Sequence, residues 1–201
     1  MSDSIPVMQS RPVIITPYTS RWVAEYQSMA TRLRAAAGNS ALRIDHIGST
    51  SVPELAAKDV IDVQITVADI TDCAALIGAL QQVGFTRGAQ IEFDMSSTLP
   101  ERDMQLAKRY MREPVGERRT HIHIRQAAHL NQRMALLFRD YLRATPAVRA
   151  QYETIKRRAA QLFPENIDGY IWLKDAPIQI IHEAAVLWAA AGSWAPGSDH
   201  D

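Results

Sequence analysis

The stretch that decides the fold is RIDHIGSTSVPELAAKDVIDVQITV, residues 43–67. A short apolar run comes first, the small and polar segment Gly48-Ser49-Thr50-Ser51-Val52-Pro53 interrupts it, and the run IDVQITV follows. Runs rich in Ile, Val and Thr that are bounded by Gly, Ser and Pro are typical of strands. The stretch therefore predicts a strand, a turn, a short helical piece and a second strand.

The second strand alternates between apolar and polar side chains. Because successive side chains of a strand point to opposite faces, one face takes Ile61, Val63, Ile65 and Val67, and the other takes Val60, Asp62, Gln64 and Thr66. Asp62 is therefore held on the polar face of a strand that is otherwise typical of a protein core.

Residues 48–53, called the Gly-Ser turn below, have the composition of a phosphate-binding loop. Gly48 permits close backbone approach and positive φ, and Ser49, Thr50 and Ser51 add hydroxyl donors beside backbone N–H groups. Such a turn at the start of a helical piece binds anions, and Asp62 nearby is a ligand for a metal ion. The alternatives are a turn that only connects two strands and an Asp62 that caps or pairs with a cation.

A second candidate site lies on a predicted hairpin, which joins strands over residues 108–113 and 118–125 through Pro114-Val115-Gly116. One face of its second strand carries Arg119, His121, His123 and Arg125. The two histidines lie about 6.6 Å apart by strand rise, a spacing that allows a shared metal or a bound phosphate. The alternative is a polar outer face of the hairpin.

The rest of the chain alternates between helical and extended patterns, which predicts an α+β protein. A flexible N-terminal tail is predicted over 1–12, an α/β core over 13–126, a C-terminal helical segment packed on the core over 127–191, and a flexible tail over 192–201. Further predicted elements are a strand at 13–15, a helix at 20–37, a helix from 71 or 72 to 84, a long loop at 88–106, and helices at 129–143, 145–162 and 167–191, the last kinked or interrupted near Pro177.

Composition restricts the possible functions. Lys plus Arg and Asp plus Glu both number 22, so no global field attracts nucleic acid or an anionic membrane, and polymer substrates are disfavoured. The single cysteine, Cys73, excludes an internal disulfide and is typical of a reducing compartment. We expect a cytoplasmic protein, since no signal peptide or membrane-length apolar run is present. A Walker A loop, a dinucleotide fingerprint and paired zinc cysteines are also absent from the sequence.

The spacing of the turn and the strand acid resembles the nucleotidyltransferase superfamily, the DNA polymerase β-like group. Gly48-Ser49 is followed by Asp62 with 12 residues between Ser49 and Asp62. The segments HIGSTSVPELAAK, IDVQITV, RRTHIHIR and LLFRDYLRATP resemble the GrpB family, and the similarity extends over about residues 14–190. The resemblance implies a nucleotidyltransferase-like mixed β-sheet with flanking helices and a C-terminal helical segment.

The same resemblance implies a nucleoside triphosphate, foremost ATP, with Mg²⁺ or another divalent metal as cofactors. It assigns metal binding to Asp62, with His121 and His123 on the strand where the superfamily has its third acid. Catalytic roles are expected for Asp62, Gln64 and Arg119. Phosphate contacts are expected from Gly48, Ser49, Thr50, Ser51, Lys58 and Arg125.

Three departures from the superfamily pattern bear on this assignment. The usual Asp-x-Asp pair is replaced by Asp62-Val63-Gln64, and Gln64 offers a carbonyl ligand without charge. Histidine in place of the third acid suggests one metal or a mixed Asp/His site. Glu54 and Asp59 stand where the family usually has Gly and Pro, so they either replace some of the missing charge or alter the substrate pocket.

These observations predict an enzyme that transfers a nucleotidyl group to a small-molecule acceptor. In a variant of this reaction the acceptor is a carboxylate, which is activated for amide formation. The alternative is a nucleotide- or metabolite-binding module that has lost transfer chemistry, for which Gln64 is the main support. The location of His46, any phosphate contact by Lys156 or Lys174, the acceptor and the oligomeric state are left open.

Overall fold

The computed structural model describes residues 12–88, 91–96 and 99–197. In this part of the chain, one five-stranded sheet is flanked by five α-helices and three short 3-10 turns. The strands are β1 (Arg43–Ile47), β2 (Ile61–Val67), β3 (Thr86–Arg87), β4 (Lys108–Arg112) and β5 (Thr120–Gln126). The helices are α1 (Arg21–Ala37), α2 (Ala74–Gln82), α3 (Leu130–Ala144), α4 (Pro146–Leu162) and α5 (Ile167–Gly192). The predicted α+β fold class is confirmed.

The sheet is mixed, with the strand order β1-β2-β5-β4-β3. The central pair, β2 and β5, is parallel, and every other pair is antiparallel. The parallel register places Asp62 opposite His121 and Gln64 opposite His123. The two polar stripes predicted from the sequence therefore lie side by side on one face of the sheet.

The opposite face of the sheet is apolar and forms the main core with α1 and α2. Buried side chains from the two central strands pack there against buried side chains of both helices, including Trp22, Leu33, Ile61, Val63, Ile65, Leu76, Leu80, Ile122 and Ile124. Complete burial of one aliphatic side chain contributes about 1.5–3 kcal/mol. The alternation of β2 is thus the pattern of a strand with one core face and one functional face.

Helices α3 to α5 cover part of the polar face and hold the Gly-Ser turn. Val52 and Leu55 pack among apolar side chains of these helices. The Arg139 guanidinium donates to the His46 carbonyl (3.1 Å), and Arg143 donates to the Ser51 carbonyl (2.9 Å). The helices are therefore fixed beside the turn, and clefts remain where they do not meet the sheet.

Several predicted elements are corrected by the structure. Residues 13–15 form no strand, because the Val13 N–H bonds the Pro164 carbonyl and only Thr16 bridges to Ala57. The two-residue strand β3 was not predicted, and the loop at 88–106 contains the 3-10 helix Met104–Leu106. Helix α5 runs through Pro177, so the predicted interruption is wrong, and the alternative of a kink stays a prediction.

The predicted N-terminal tail, apart from residue 12, and residues 198–201 of the predicted C-terminal tail lie outside the described residues. None of the helices in the described part of the chain is long and apolar enough to span a membrane.

Candidate functional site

The structure brings together Asp62 of β2 with His121 and His123 of β5. One ligand atom from each side chain lies within 4.8 Å of the others. Asp62 Oδ1 is 3.2 Å from His121 Nδ1 and 3.8 Å from His123 Nε2. All three side chains are partly exposed. The parallel register explains this convergence, because it sets position 62 beside position 121, two residues from position 123 on the same face.

The protonation states of this Asp-His cluster suit metal binding. Burial raises the pKa of Asp62, but the favourable interactions with the neighbouring His121 and His123 side chains outweigh it and lower that pKa well below its usual range. Burial lowers the pKa of His123 to about 4, against the effect of Asp62. At neutral pH the cluster therefore offers an ionised carboxylate and a neutral His123 imidazole, which are the forms that ligate metals.

The Gly-Ser turn is in direct contact with this cluster. Gly48 has φ 71°, and a Cβ atom at this position would lie 2.5 Å from Asp62 Oδ2. Any other residue would displace the carboxylate, so glycine is required both by the backbone angle and by the close approach. Ser49 and Tyr152 both line the adjoining cleft.

The expected phosphate contacts from Thr50 and Ser51 need correction. Both side chains are buried. The Thr50 hydroxyl donates to the Val60 carbonyl (3.1 Å), and the Ser51 hydroxyl donates to the Gly48 carbonyl (2.6 Å). These hydroxyls stabilise the turn itself, so Ser49 and the backbone are the part of the turn that a ligand can reach.

A cleft of about 420 Å³, called the Ser49 cleft below, opens between the sheet and helices α3 to α5. Its walls combine charged groups with an apolar floor, as is common in small-molecule sites. Its polar lining includes Ser49, Asp62, Asp94, His123, Arg125 and Lys174, and its apolar lining includes Met134, Phe138 and Ile178.

Lys174 of α5 belongs to the Ser49 cleft. Burial lowers its pKa to about 8, while the Asp62 charge raises it. Its ammonium lies 4.6 Å from the centre of the Tyr170 ring. Lys156, by contrast, is buried and donates to the Ala56 carbonyl, and burial lowers its pKa to about 6. Of these two lysines, only Lys174 faces the cleft.

The expected catalytic role of Gln64 does not fit its position. Its side chain is 0% exposed. Its Oε1 accepts from Arg125 Nη1 (2.7 Å), and its Nε2 donates to the Gln132 carbonyl of α3 (3.1 Å). Gln64 is therefore covered by α3, and both the oxygen and the nitrogen of its amide are hydrogen-bonded within the protein.

Arg125 is engaged in the same way, which corrects its expected phosphate contact. Besides Gln64, its guanidinium donates to Asp94 Oδ2 (2.9 Å), and Asp94 also accepts from Lys108 (2.5 Å) and Asn131 (3.1 Å). Burial raises the pKa of Asp94, but the charges of Arg125 and Lys108 outweigh it and lower that pKa well below its usual range. Sequence reasoning missed Asp94, which is one of four acids in the aperiodic loop at 88–106 and carries no pattern that sets it apart.

Arg119 and Lys58 lie in a second cleft of about 630 Å³, called the Arg119 cleft below. Its polar lining includes Lys58, Arg87, Tyr110, Arg112, Arg119 and His121. His121 also contacts Asp62 at 3.2 Å, so the two clefts meet at the Asp-His cluster. The expected phosphate contact of Lys58 is thus placed in a different cleft from the Gly-Ser turn.

The two additional acids near the turn serve the fold. Glu54 pairs with Arg149 (2.5 Å). Asp59 accepts from the Trp22 indole (2.6 Å) and from Arg118 (2.5 Å). Neither lines the Ser49 cleft, so they do not replace the charge that a second strand acid would provide.

His46 also belongs to the fold. Its ring stacks on Tyr26 with centroids 4.5 Å apart, and burial lowers its pKa to about 3.

The mixed sheet, with the Gly-Ser turn against a strand aspartate, defines an α+β protein with a candidate binding site on one face of its sheet. The sequence profile of the GrpB protein family matches residues 12–184, and the chain belongs to this family. The crystal structure of the conserved protein GrpB from Enterococcus faecalis superposes with a TM-score of 0.74 at 34% identity, over 88% of this chain and 99% of that one.

Curated relatives fall into two groups by length. A UPF0157 protein of Halalkalibacterium halodurans is 30% identical over 86% of this chain and 82% of its own length. A protein of Mycolicibacterium paratuberculosis named dephospho-CoA kinase is 36% identical over 92% of this chain but only 49% of its own length. The chain thus spans about half the length of the latter relative and of its mycobacterial counterparts.

Proposed function

We propose that this protein binds a nucleoside triphosphate, foremost ATP, with a divalent metal in the Ser49 cleft and transfers a nucleotidyl group to a small-molecule acceptor. One observation carries the proposal: Asp62, His121 and His123 converge within 4.8 Å directly beside the Gly-Ser turn. Their position where the two clefts meet allows two substrates to reach one centre.

Asp62, His121 and His123 are the residues that would hold the metal. The two imidazoles make this site less suitable for Mg²⁺, which demands oxygen ligands, than for Mn²⁺, and imidazole suits Zn²⁺ or Fe²⁺ better still. Mn²⁺ therefore fits this site better than the Mg²⁺ expected from the superfamily. The metal would neutralise phosphate charge and polarise the α-phosphate as a Lewis acid.

The nucleotide would be oriented by residues of the Ser49 cleft. The Ser49 hydroxyl and the backbone N–H groups of the turn are donors for phosphate oxygens. Lys174, whose pKa of about 8 leaves it mainly cationic at neutral pH, would neutralise the triphosphate. Phe138 and Met134 form an apolar wall for the nucleoside.

In the proposed reaction an acceptor oxygen forms a bond to the α-phosphorus. The bond from the α-phosphorus to the oxygen that bridges to the β-phosphate breaks, and pyrophosphate leaves with the electron pair. If the acceptor is a carboxylate, its oxygen is already ionised and no proton has to be removed. The amine nitrogen of a further substrate can then attack the acyl carbon, so that the bond from this carbon to the phosphate oxygen breaks and an amide, the nucleoside monophosphate and a proton are released.

The rival proposal is a nucleotide-binding module without transfer chemistry. The burial of Gln64 favours it, since the position that usually supplies the second strand acid is closed to the cleft. Asp94 does line the Ser49 cleft, but Lys108 and Arg125 both pair with it. The metal site therefore carries less negative charge than an Asp-x-Asp pair would give.

Calorimetric titration with ATP in Mn²⁺, in Mg²⁺ and without metal, combined with an assay of pyrophosphate release across an acceptor library, tests both proposals. We expect the tightest ATP binding with Mn²⁺, loss of this metal effect in His123→Ala, and pyrophosphate release with one acceptor class. Metal-dependent binding without release from any acceptor would favour the binding module. Absence of ATP binding to the wild-type protein would contradict both.

A further inference from the structure

We propose that the Arg119 cleft is the acceptor site and that it holds the acceptor by a phosphate monoester group. The role of the bound molecule as acceptor rests on the proposed transfer function. The binding of its phosphate group does not, because it depends only on the residues of the cleft. It also changes the role expected for Arg119, from a catalytic residue to a residue that anchors the second substrate.

The main evidence is the state of the Arg119 side chain. Its Nε atom is buried and has no hydrogen-bond partner, and its guanidinium forms no ion pair within the part of the chain that the structure describes. Its neighbour Arg118 shows what a structural arginine does here, since it donates to Glu25 (2.8 Å) and to Asp59 (2.5 Å). A buried N–H without a partner carries a desolvation cost that a bound oxyanion would remove.

The charge balance of the cleft favours phosphate over carboxylate. Arg112 and Glu113 pair with each other at 2.9 Å. The remaining charged groups of the lining are Lys58, Arg87 and Arg119 against Asp168, an excess of two positive charges (three minus one). A phosphate monoester carries about −1.5 to −2 charge at pH 7, which balances this excess better than a single carboxylate.

The position of the cleft fits a second substrate. His121 lines the Arg119 cleft and contacts Asp62, while His123 lines the Ser49 cleft. Tyr110 of β4 packs beside both imidazoles, with ring centroids 5.6 Å from His121 and 5.4 Å from His123. A small molecule anchored at Arg119 would thus reach the Asp-His cluster from the side opposite to the nucleotide.

Titration of the protein with glycerol 3-phosphate, without nucleotide or metal, tests the site directly. We expect the wild-type chain to bind this probe at millimolar or lower concentration and Arg119→Gln to weaken binding about tenfold or more, as loss of a charge-assisted contact predicts. Arg158→Gln, an exposed arginine on α4, is the matched control and should leave binding unchanged. ATP binding should be unaffected by either substitution.

Competition experiments complete the test. Saturating ATP should leave glycerol 3-phosphate binding intact, and glycerate, which carries a carboxylate instead, should bind more weakly. The inference is overturned if the wild-type chain does not bind glycerol 3-phosphate, if Arg119→Gln binds it normally, if ATP displaces it, or if glycerate binds as well.

The outcome is distinguishable from that of the proposed transfer function. Retention of glycerol 3-phosphate by a chain that does not bind ATP would support the anion site while contradicting nucleotidyl transfer.

Discussion

Two polar clusters lie next to each other on the same face of the same parallel strand pair, and they differ in whether their bonding groups are satisfied. The Asp-His cluster opens into both clefts, since Asp62 and His123 line the Ser49 cleft and His121 lines the Arg119 cleft. Two nitrogen atoms here, His123 Nδ1 and Arg119 Nε, lack a hydrogen-bond partner among the described residues. Further along the strands, Gln64 and Arg125 join Asp94 in a network that reaches Lys108 and Asn131, called the closed network below. Asn131 Oδ1 is its one buried side-chain atom without a partner among the described residues.

The comparison shows how a polar stripe on a strand divides into function and structure. Gln64 lies only two residues from Asp62, yet α3 covers it and supplies the Gln132 carbonyl as its acceptor. Buried polar groups are tolerated when they are hydrogen-bonded, so the closed network stabilises the fold. The open Asp-His cluster keeps its ligand atoms available.

The largest expected effect concerns the open cluster. Asp62→Asn removes its only carboxylate and should weaken Mn²⁺ binding by more than about 100-fold, beyond the range typical of changes outside the first coordination shell. Pyrophosphate release should be lost, while ATP binding through the turn and Lys174 should be partly retained. The free energy of unfolding, measured in urea at neutral pH, should also decrease, because the lowered pKa of Asp62 means that its charge stabilises the folded state. Full activity in Asp62→Asn would contradict a metal-binding role for this residue.

A substitution in the closed network should mainly lower the free energy of unfolding. Arg125→Met leaves the Asp94 carboxylate paired only with Lys108 and removes the donor to Gln64, which should cost about 3–5 kcal/mol of stability, as for a broken buried ion pair. Equilibrium unfolding in urea measures this loss. Arg158→Met on the surface is the control and should stay within about 0.5 kcal/mol of the wild type. Equal stability of the two variants would show that the network is not structural.

Gln64→Glu tests whether Gln64 belongs to the metal site or to the closed network. In a standard Asp-x-Asp site the new carboxylate would tighten metal binding. Here it would replace the donor to the Gln132 carbonyl with an acceptor, so we expect a loss of about 1–3 kcal/mol in stability and no gain in Mn²⁺ affinity. Metal titration and urea unfolding on the same preparation check both parts. Tighter metal binding would place Gln64 in the site after all.

Acidification should destabilise the protein through histidines that are held neutral. Burial lowers the pKa of His46 to about 3 and of His123 to about 4. As the pH falls below the unfolded value of about 6.5, the unfolded chain binds protons that the native chain does not, so stability decreases by up to about 1.4 kcal/mol per pH unit for each histidine. The loss should continue down to the folded pKa values.

Urea unfolding between pH 7 and pH 4.5 measures this slope, and His46→Asn should flatten it. An unchanged slope in His46→Asn would contradict the buried neutral state of His46.

The smallest expected effect is that of Ser49→Ala. One lost hydrogen bond to phosphate should weaken ATP binding by about 1 kcal/mol. Ser51→Ala is the informative comparison, because the Ser51 hydroxyl bonds the Gly48 carbonyl and should affect stability rather than contact the nucleotide. Calorimetric titration of both variants, with thermal unfolding in parallel, distinguishes the two serines. Equal ATP affinity in Ser49→Ala and the wild type would remove this hydroxyl from the phosphate contacts.

Local patterns were sufficient for much of the fold. The alternation of residues 60–67 predicted both faces of β2, and the hairpin of β4 and β5 follows from two extended runs around Pro114-Val115-Gly116. The parallel pairing of β2 with β5 was not predictable from periodicity, because it joins segments about 60 residues apart in the chain. That pairing is what sets Asp62 beside His121.

The parts of the site that escaped prediction depend on long-range partners. Gln64 was expected to face substrate because its strand position matches that of a catalytic acid, but its partners Gln132 and Arg125 come from distant segments. Asp94 lies in a loop without periodicity, so its role emerged only from its contacts with Lys108 and Arg125. Burial by a later helix cannot be inferred from the two-residue period of a strand.

The central claim is that Asp62 and the two histidines bind a metal beside the nucleotide phosphates. Pulsed electron paramagnetic resonance of Mn²⁺ added with ATP tests it most directly, because nitrogen couplings report imidazole ligands and phosphorus couplings report the triphosphate. We predict both couplings on the same Mn²⁺ ion in the wild-type protein and weaker nitrogen coupling in His123→Ala. Phosphorus coupling without nitrogen coupling, or a spectrum unchanged in His123→Ala, would contradict the account.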